Sequence, residues 1–232
     1  MSPSRGLVGI PCAEQGRYSA FWASVTGLVL PEGWSIFQGQ GHSVASNRNG
    51  IIREALRRGC DWMLFLDDDM IVQPNLLTTL LETGADAVVA LSYMRKAPFL
   101  PLWYHTFGTT GDLAVQRADI PPPGRLHRIR WATGGGVLVS TRVLKMMDDP
   151  WFTLGQHGAD QWNDDLDFFL KLAATDTPLY GYSKAICGHI ATMDVWPAQT
   201  EDGSWGTALA RGHDVFAQFV DLPRKESVCV SE

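Results

Sequence analysis

Three consecutive aspartates, Asp67, Asp68 and Asp69, follow directly on an apolar run, Trp62-Met63-Leu64-Phe65-Leu66. Neighbouring carboxylates repel one another and lose solvation as they approach a core. An unpaired buried charge costs roughly several kcal/mol unless something neutralises it. A divalent cation is the simplest partner, because hard oxygen ligands suit Mg2+ or Mn2+. The competing reading is a strand that ends in a solvated acidic turn. A metal centre needs further ligands. His189 is a candidate, since it comes at the end of an apolar stretch, PLYGYSKAICGHI (178–190), and before a loop. A lone histidine is more often a satisfied structural residue, so both readings stay open.

A second acidic group, Asp164, Asp165 and Asp167, opens the segment NDDLDFFLKLAA (163–174). Carboxylates in a first helical turn meet the helix dipole favourably, worth about 0.3–1 kcal/mol each. A carboxylate facing a cleft could instead deprotonate an incoming hydroxyl. The glycines Gly134, Gly135 and Gly136 permit close backbone approach to a ligand, or a tight turn between two strands. They lack the Lys-Ser/Thr of a phosphate loop. GQGH at 39–42 begins like a dinucleotide fingerprint, but it lacks the third glycine and no strong strand is read before it. Arg48 and Asn49 fall on a helix behind the first strand, where an arginine could meet a diphosphate with two hydrogen bonds. A solvated helix face is the alternative. Arg125, His127, Arg128 and Arg130 form a basic run beside Trp131. It could steer an anionic acceptor, nucleic acid included, or be a solvated strand edge.

The elements that must position these residues alternate. LVGIPC (7–12) reads as a buried strand ended by Pro11, and 18–30 as a helix stopped by Pro31. SVASNRNGIIREALRRG (43–59) reads as a helix with Ser43 as N-cap and Gly59 as stop. WMLFLD is a strand, 74–84 a helix and DAVVALSY (86–93) a strand. Buried apolar strands alternating with helices predict a mostly parallel sheet beneath helices. Ligands of such sheets bind beyond the carboxyl ends of the strands, where Asp67–Asp69 fall. Residues 94–128 read as loops with one or two short strands, and 129–147 as strand, glycine turn, strand and helix. The segment 163–174 is a helix whose Leu166, Phe169, Leu170 and Ala173 share one face, and 178–190 is a strand.

Bulk composition fits this architecture. The chain has 232 residues, 45% hydrophobic and 19% charged, enough for one sizeable core. A net charge of −6 argues against a generic nucleic-acid binder. The four cysteines, Cys12, Cys60, Cys187 and Cys229, form no CxxC pair, so no zinc ribbon or redox motif is read and reduced thiols in a cytoplasm are expected. The sequence shows no secretory signal pattern, and no apolar run reaches the roughly 18–20 residues of a membrane span.

Taken together, LVGIPC, SVASNRNGIIREAL, WMLFLDDDMIVQPNLL, ATGGGVLVSTRVL, WNDDLDFFLKL and GHI resemble the GT-A fold glycosyltransferases, in particular the family-2-like group. The resemblance covers roughly residues 7–190. Asp67-Asp68-Asp69 is similar to that family's DxD motif, and WNDDLDFFLKL to its "ED" segment, with Asp164-Asp165 where Glu-Asp is usual.

The resemblance implies an α/β fold with a GT-A (Rossmann-like), mostly parallel central sheet flanked by helices, and a smaller antiparallel acceptor-side region. It implies a single domain over 1–232, with a nucleotide-sugar half (about 1–95), an acceptor half (about 96–215) and a tail (216–232). A nucleoside-diphosphate sugar, UDP- or GDP-linked, is the implied donor and a hydroxyl group the acceptor. Asp67 and Asp69 would serve Mn2+ or Mg2+, with His189 completing the metal sphere. Pro11, Cys12, Glu14, Arg48, Asp67, Asp68, Gly135 and Gly136 would frame the donor. Asp165 matches the general base of inverting members, with Asp164 as the one-residue alternative. Compact enzymes of this kind resemble some phage-encoded ones that decorate hydroxymethylated DNA bases, which would place the protein in a host cytoplasm. Two other readings share the acidic site: a sugar-phosphate nucleotidyltransferase, for which PCAEQGRYS lacks the basic glycine-rich loop, and a non-catalytic nucleotide-sugar-binding module.

Overall fold

The computed structural model describes residues 4–12, 18–41, 43–95, 100–106, 124–133, 135–157, 160–162, 164–191, 194–199, 205–211 and 214–216. Glu14 lies outside them. The chain divides into two compact units, Met1–Ile190 and Ala191–Glu232. The first unit opens with β1 (Gly6–Pro11), α1 (Ser19–Thr26), β2 (Trp34–Gly39), α2 (Val44–Arg57) and β3 (Trp62–Phe65). It continues with β4 (Met70–Val72), α3 (Leu76–Leu81), β5 (Ala87–Leu91), β6 (Trp103–Tyr104), β7 (Leu126–Ile129) and β8 (Trp131–Ala132). It closes with β9 (Val137–Ser140), α4 (Thr141–Leu144), β10 (Gly155–His157), β11 (Asp160–Trp162), α5 (Asp164–Ala173) and β12 (Leu179–His189). The second unit contains an antiparallel sheet of β13 (Asp194–Gln199), β14 (Trp205–Arg211) and β15 (Asp214–Phe216).

The central sheet runs β2-β1-β3-β9-β5-β12-β4, with β7 also on β12. β1 is parallel to β2 and β3, and β5 is parallel to β12. β9 enters antiparallel between β3 and β5. The strands read as continuous apolar runs because both faces of the sheet are covered. Alternate residues feed two separate cores. Leu7, Met63, Phe65, Val89 and Val139 join one core with Ile51 and Ile52 of α2 and with Phe168, Phe169 and Leu172 of α5. Val8, Ile10, Leu64, Leu66, Val88 and Leu138 join the other with Phe21 of α1 and with Leu76, Leu77 and Leu80 of α3.

The Ser43 hydroxyl caps α2, accepting from the Ser46 amide at 3.1 Å. Two elements depart from the sequence reading. WSIFQG is strand β2, so GQGH does follow a strand. β2 lies at the sheet edge and buries only its first and last residues, Trp34 and Gly39, which leaves no continuous apolar run to detect. The acidic stretch is followed by the short strand β4, whose antiparallel pairing with β12 places His189 opposite Met70.

Trp103 and Trp131 are packing residues. Trp103 is fully buried, its indole donating to the Ala90 carbonyl, and Trp131 stacks on Tyr104 with centroids 4.0 Å apart. The basic run falls on and around β7, at the edge of β12, with Arg125, Arg128 and Arg130 exposed. The His127 and His105 Nε2 atoms lie 3.2 Å apart.

Candidate active site

β3 ends at Phe65, and the Leu66 amide still donates to the Gly9 carbonyl of β1. The next three residues leave the sheet as a turn at the carboxyl end of the parallel strands. The Met70 amide donates to the Asp67 carbonyl, and the Ile190 amide to the Asp69 carbonyl at 2.8 Å. Strand register therefore brings His189, 120 residues away in sequence, next to Asp69.

The glycine segment supports the same turn. A Cβ on Gly135 would lie 2.3 Å from the Asp67 amide nitrogen. Gly136 has φ +104°, in the left-handed region that favours glycine, and its amide donates to the Phe65 carbonyl at 2.8 Å. Among the described residues, Gly135 and Gly136 draw β9 against the end of β3.

Arg48 links the two acidic groups. Its Nη2 donates to Asp67 Oδ1 at 2.8 Å, and its Nη1 donates to Asp164 Oδ2 and to Asp165 Oδ1, each at 2.8 Å. Its guanidinium carbon stands 5.2 Å from the centroid of the Phe152 ring, which stacks on Phe168. Arg48 is 6% exposed. Arg48 is therefore not on a solvated helix face but buried among three carboxylates. Burial opposes its charge, yet Asp165, Asp67 and Asp164 together hold its proton more tightly than in an ordinary arginine. Three carboxylates share one guanidinium, so the cluster keeps an excess of negative charge. Burial pushes the Asp165 carboxyl up to about 7, with Asp67 and Asp164 adding to the rise and Arg48 opposing it.

The remaining acidic residue of α5 is structural. Asp167 Oδ2 accepts from the Thr153 amide and hydroxyl and from Lys171 Nζ, tying the helix start to the chain after Phe152. Asn49 holds the same segment from α2: its Nδ2 donates to the Phe152 carbonyl and its Oδ1 accepts from the Phe152 amide. Phe152 and this double clasp were not legible in the sequence. The contact spans 103 residues, and no motif marks it.

Asp69 and His189 form the outer half of the site. His189 Nδ1 donates to the Tyr93 carbonyl at 2.9 Å, since a carbonyl can only accept. That bond points Nε2 at Asp69 Oδ2, 3.4 Å away. Arg95 Nη1 donates to the same oxygen at 2.8 Å. Burial pushes the Asp69 carboxyl up, but His189 and Arg95 outweigh it and hold it below the usual range. Asp69 in turn raises the His189 imidazole above its ordinary value, with burial opposing. Asp67, Asp69, Arg95, Thr133 and His189 line a cavity of about 300 Å3. Asp67 also lines the small neighbouring hollow of Arg48, Phe152 and Asp165.

Two carboxylates and an imidazole with its distal nitrogen held by a carbonyl are a suitable donor set for Mn2+ or Mg2+. As arranged, no group of three His, Cys, Asp or Glu side chains among the described residues is disposed to hold a metal ion. At the end of β1, the Cys12 carbonyl accepts from Asn47 Nδ2 and the Cys12 side chain is buried, its thiol pushed up by burial and then by Asp68. The Cys187 thiol, also buried, is pushed up to about 12 by burial and then by Asp67. Cys12, Cys60 and Cys187 are free thiols.

The sequence matches no protein-family model and no curated protein. The fold does have solved counterparts. A197 from STIV superposes with a TM-score of 0.54 at 18% identity, covering 92% of this chain and 98% of that one. GalNAc-T7, solved with UDP, GalNAc and Mn2+, superposes with a TM-score of 0.52 at 12% identity, covering 81% of this chain and 44% of that one. No helix among the described residues is long and apolar enough to cross a membrane. The chain has the GT-A fold of these structures, with its carboxylate cluster at the carboxyl ends of the central parallel strands.

Proposed function

We propose that this protein is a metal-dependent glycosyltransferase that moves a sugar from a nucleoside-diphosphate sugar to a hydroxyl acceptor. One observation carries the reading: Asp67, Asp69 and His189 line a single cavity, and Arg48 ties Asp67 to Asp164 and Asp165. Asp67, Asp69 and His189 are the proposed ligands of Mn2+ or Mg2+. When bound there, the cation supplies neutralisation of the departing diphosphate. The protein's own residues do the rest. Arg48 fixes Asp67 and Asp165 relative to one another. The Tyr93 carbonyl holds the His189 ring so that Nε2 faces the cavity. Asp165 is the proposed base: burial raises its affinity for a proton, which suits removal of one from a hydroxyl near neutral pH.

A UDP- or GDP-linked sugar is the proposed donor, and GalNAc-T7, which shares the fold, was solved with UDP and Mn2+. The test is a thermal-shift panel of UDP, GDP, ADP, CMP and dTDP, each with and without Mn2+. A rise for one nucleotide only when Mn2+ is present is expected and names the donor base, because a ligand of the native state stabilises it. No shift for any nucleotide refutes the reading. Release of pyrophosphate from a nucleoside triphosphate and a sugar phosphate refutes it in favour of nucleotidyl transfer.

A further inference from the structure

The oxygen on which the proposed cation depends is already engaged. Asp69 Oδ2 accepts from Arg95 at 2.8 Å, and His189 Nε2 faces it at 3.4 Å. A guanidinium and a divalent cation repel each other, so they compete for one carboxylate oxygen. We propose that Arg95 is an exchangeable counter-ion: it neutralises Asp69, leaves Oδ2 when the cation binds, and then turns within the same cavity toward the donor's diphosphate. The inference rests on the metal-dependent reading above.

The two arginines of the site differ in what would let them move. The Arg48 side chain is 7% exposed and bonded to three carboxylates. The Arg95 side chain is 35% exposed and pairs with Asp69. The pair is open to solvent mainly on its arginine side, and a doubly charged cation attracts the Asp69 carboxylate more strongly than a single positive charge does, so it can displace Arg95 from Oδ2. Arg95 follows the end of β5 and lines the cavity with Asp67, Asp69 and His189. Its charge therefore stays in the cavity after exchange, where a diphosphate attracts it. Nucleotide binding then draws Arg95 away from Asp69 and favours the cation, and by linkage the cation favours the nucleotide.

The experiment is a Mn2+ titration by isothermal calorimetry on the full chain, comparing wild type with Arg95→Met, Arg95→Lys and Asp69→Asn. Thermal melts confirm that each is folded. Without nucleotide, Arg95→Met is expected to bind Mn2+ about three- to tenfold more tightly than wild type, Arg95→Lys to fall between them, and Asp69→Asn to lose binding. Equal or weaker Mn2+ binding by Arg95→Met, with binding lost in Asp69→Asn, overturns the competition and leaves the metal site standing. No Mn2+ binding by either wild type or Arg95→Met overturns both. With UDP added, the gain in Mn2+ affinity is expected to be smaller in Arg95→Met than in wild type, and an equal gain overturns the movement toward the diphosphate.

Discussion

Replacing Arg48 by methionine removes the charge while keeping an unbranched apolar chain against Phe152. Three charge-assisted hydrogen bonds of 2.8 Å go with it. Each such bond contributes about 1.5–3 kcal/mol when measured singly. They do not add, because all three end on one guanidinium whose own burial is costly. What remains is the penalty of leaving Asp67, Asp164 and Asp165 close together without a counter-ion, and breaking a buried pair this way costs about 3–5 kcal/mol. For a chain of this size that lowers the melting temperature by about 6–20 °C. The loss depends on pH. Burial and the two neighbouring carboxylates already push Asp165 up to about 7, and removing the cation pushes it further up. Protonated carboxyls need no counter-ion, so the deficit is expected to be smaller at pH 5.5 than at pH 8. Urea melts of wild type, Arg48→Met and Arg48→Lys at both values measure it. Lysine restores the charge but cannot span three carboxylates with one ammonium, so it should recover only part of the loss. A methionine variant within 1 kcal/mol of wild type at pH 8, an estimate set by the size of a surface pair, would refute the claim that Arg48 neutralises a buried acidic cluster.

Asp165→Asn should abolish transfer while flattening the pH dependence of stability. The folded protein holds the Asp165 proton up to about pH 7, against about 4 for an unfolded aspartate. Its contribution is therefore complete below about pH 4 and lost as pH rises through about 7, and that decline should vanish in the variant's urea melts. In wild type the transfer rate should rise through the same region as the base loses its proton; a rate flat from pH 5 to 8 would exclude Asp165 as the base. Gly135→Ala places a methyl 2.3 Å from the Asp67 amide nitrogen, a backbone atom that cannot swing aside. A cost of about 1–3 kcal/mol and weaker Mn2+ binding are expected, read by melting and calorimetry together. Wild-type values for both would show that the glycine contact does not set the position of Asp67.

The sequence by itself determined the local and periodic features. Continuous apolar runs at β1, β3, β5 and β9 identified strands covered on both faces, and the Ser43 cap and Gly59 stop bounded α2. These signals are legible because backbone propensity, capping and burial act over a few residues. The ordered motifs also singled out Asp67, Asp69, Asp164, Asp165 and His189 as residues able to do chemistry. The sequence did not reveal β2, because an edge strand buried only at its ends carries no apolar run. Helical position alone did not separate Asp167, which bonds Thr153 and Lys171, from Asp164 and Asp165, which bond Arg48; the resemblance did. All three occupy the first turn of one helix, and only the chain packed against that turn decides which way each carboxylate is used. Tertiary structure alone made Arg48 the link between acidic groups roughly a hundred residues apart, and set Arg95 on the Asp69 oxygen. Such pairings depend on sheet register and crossover geometry, which bring distant residues within hydrogen-bonding distance while leaving no trace in the spacing of the chain.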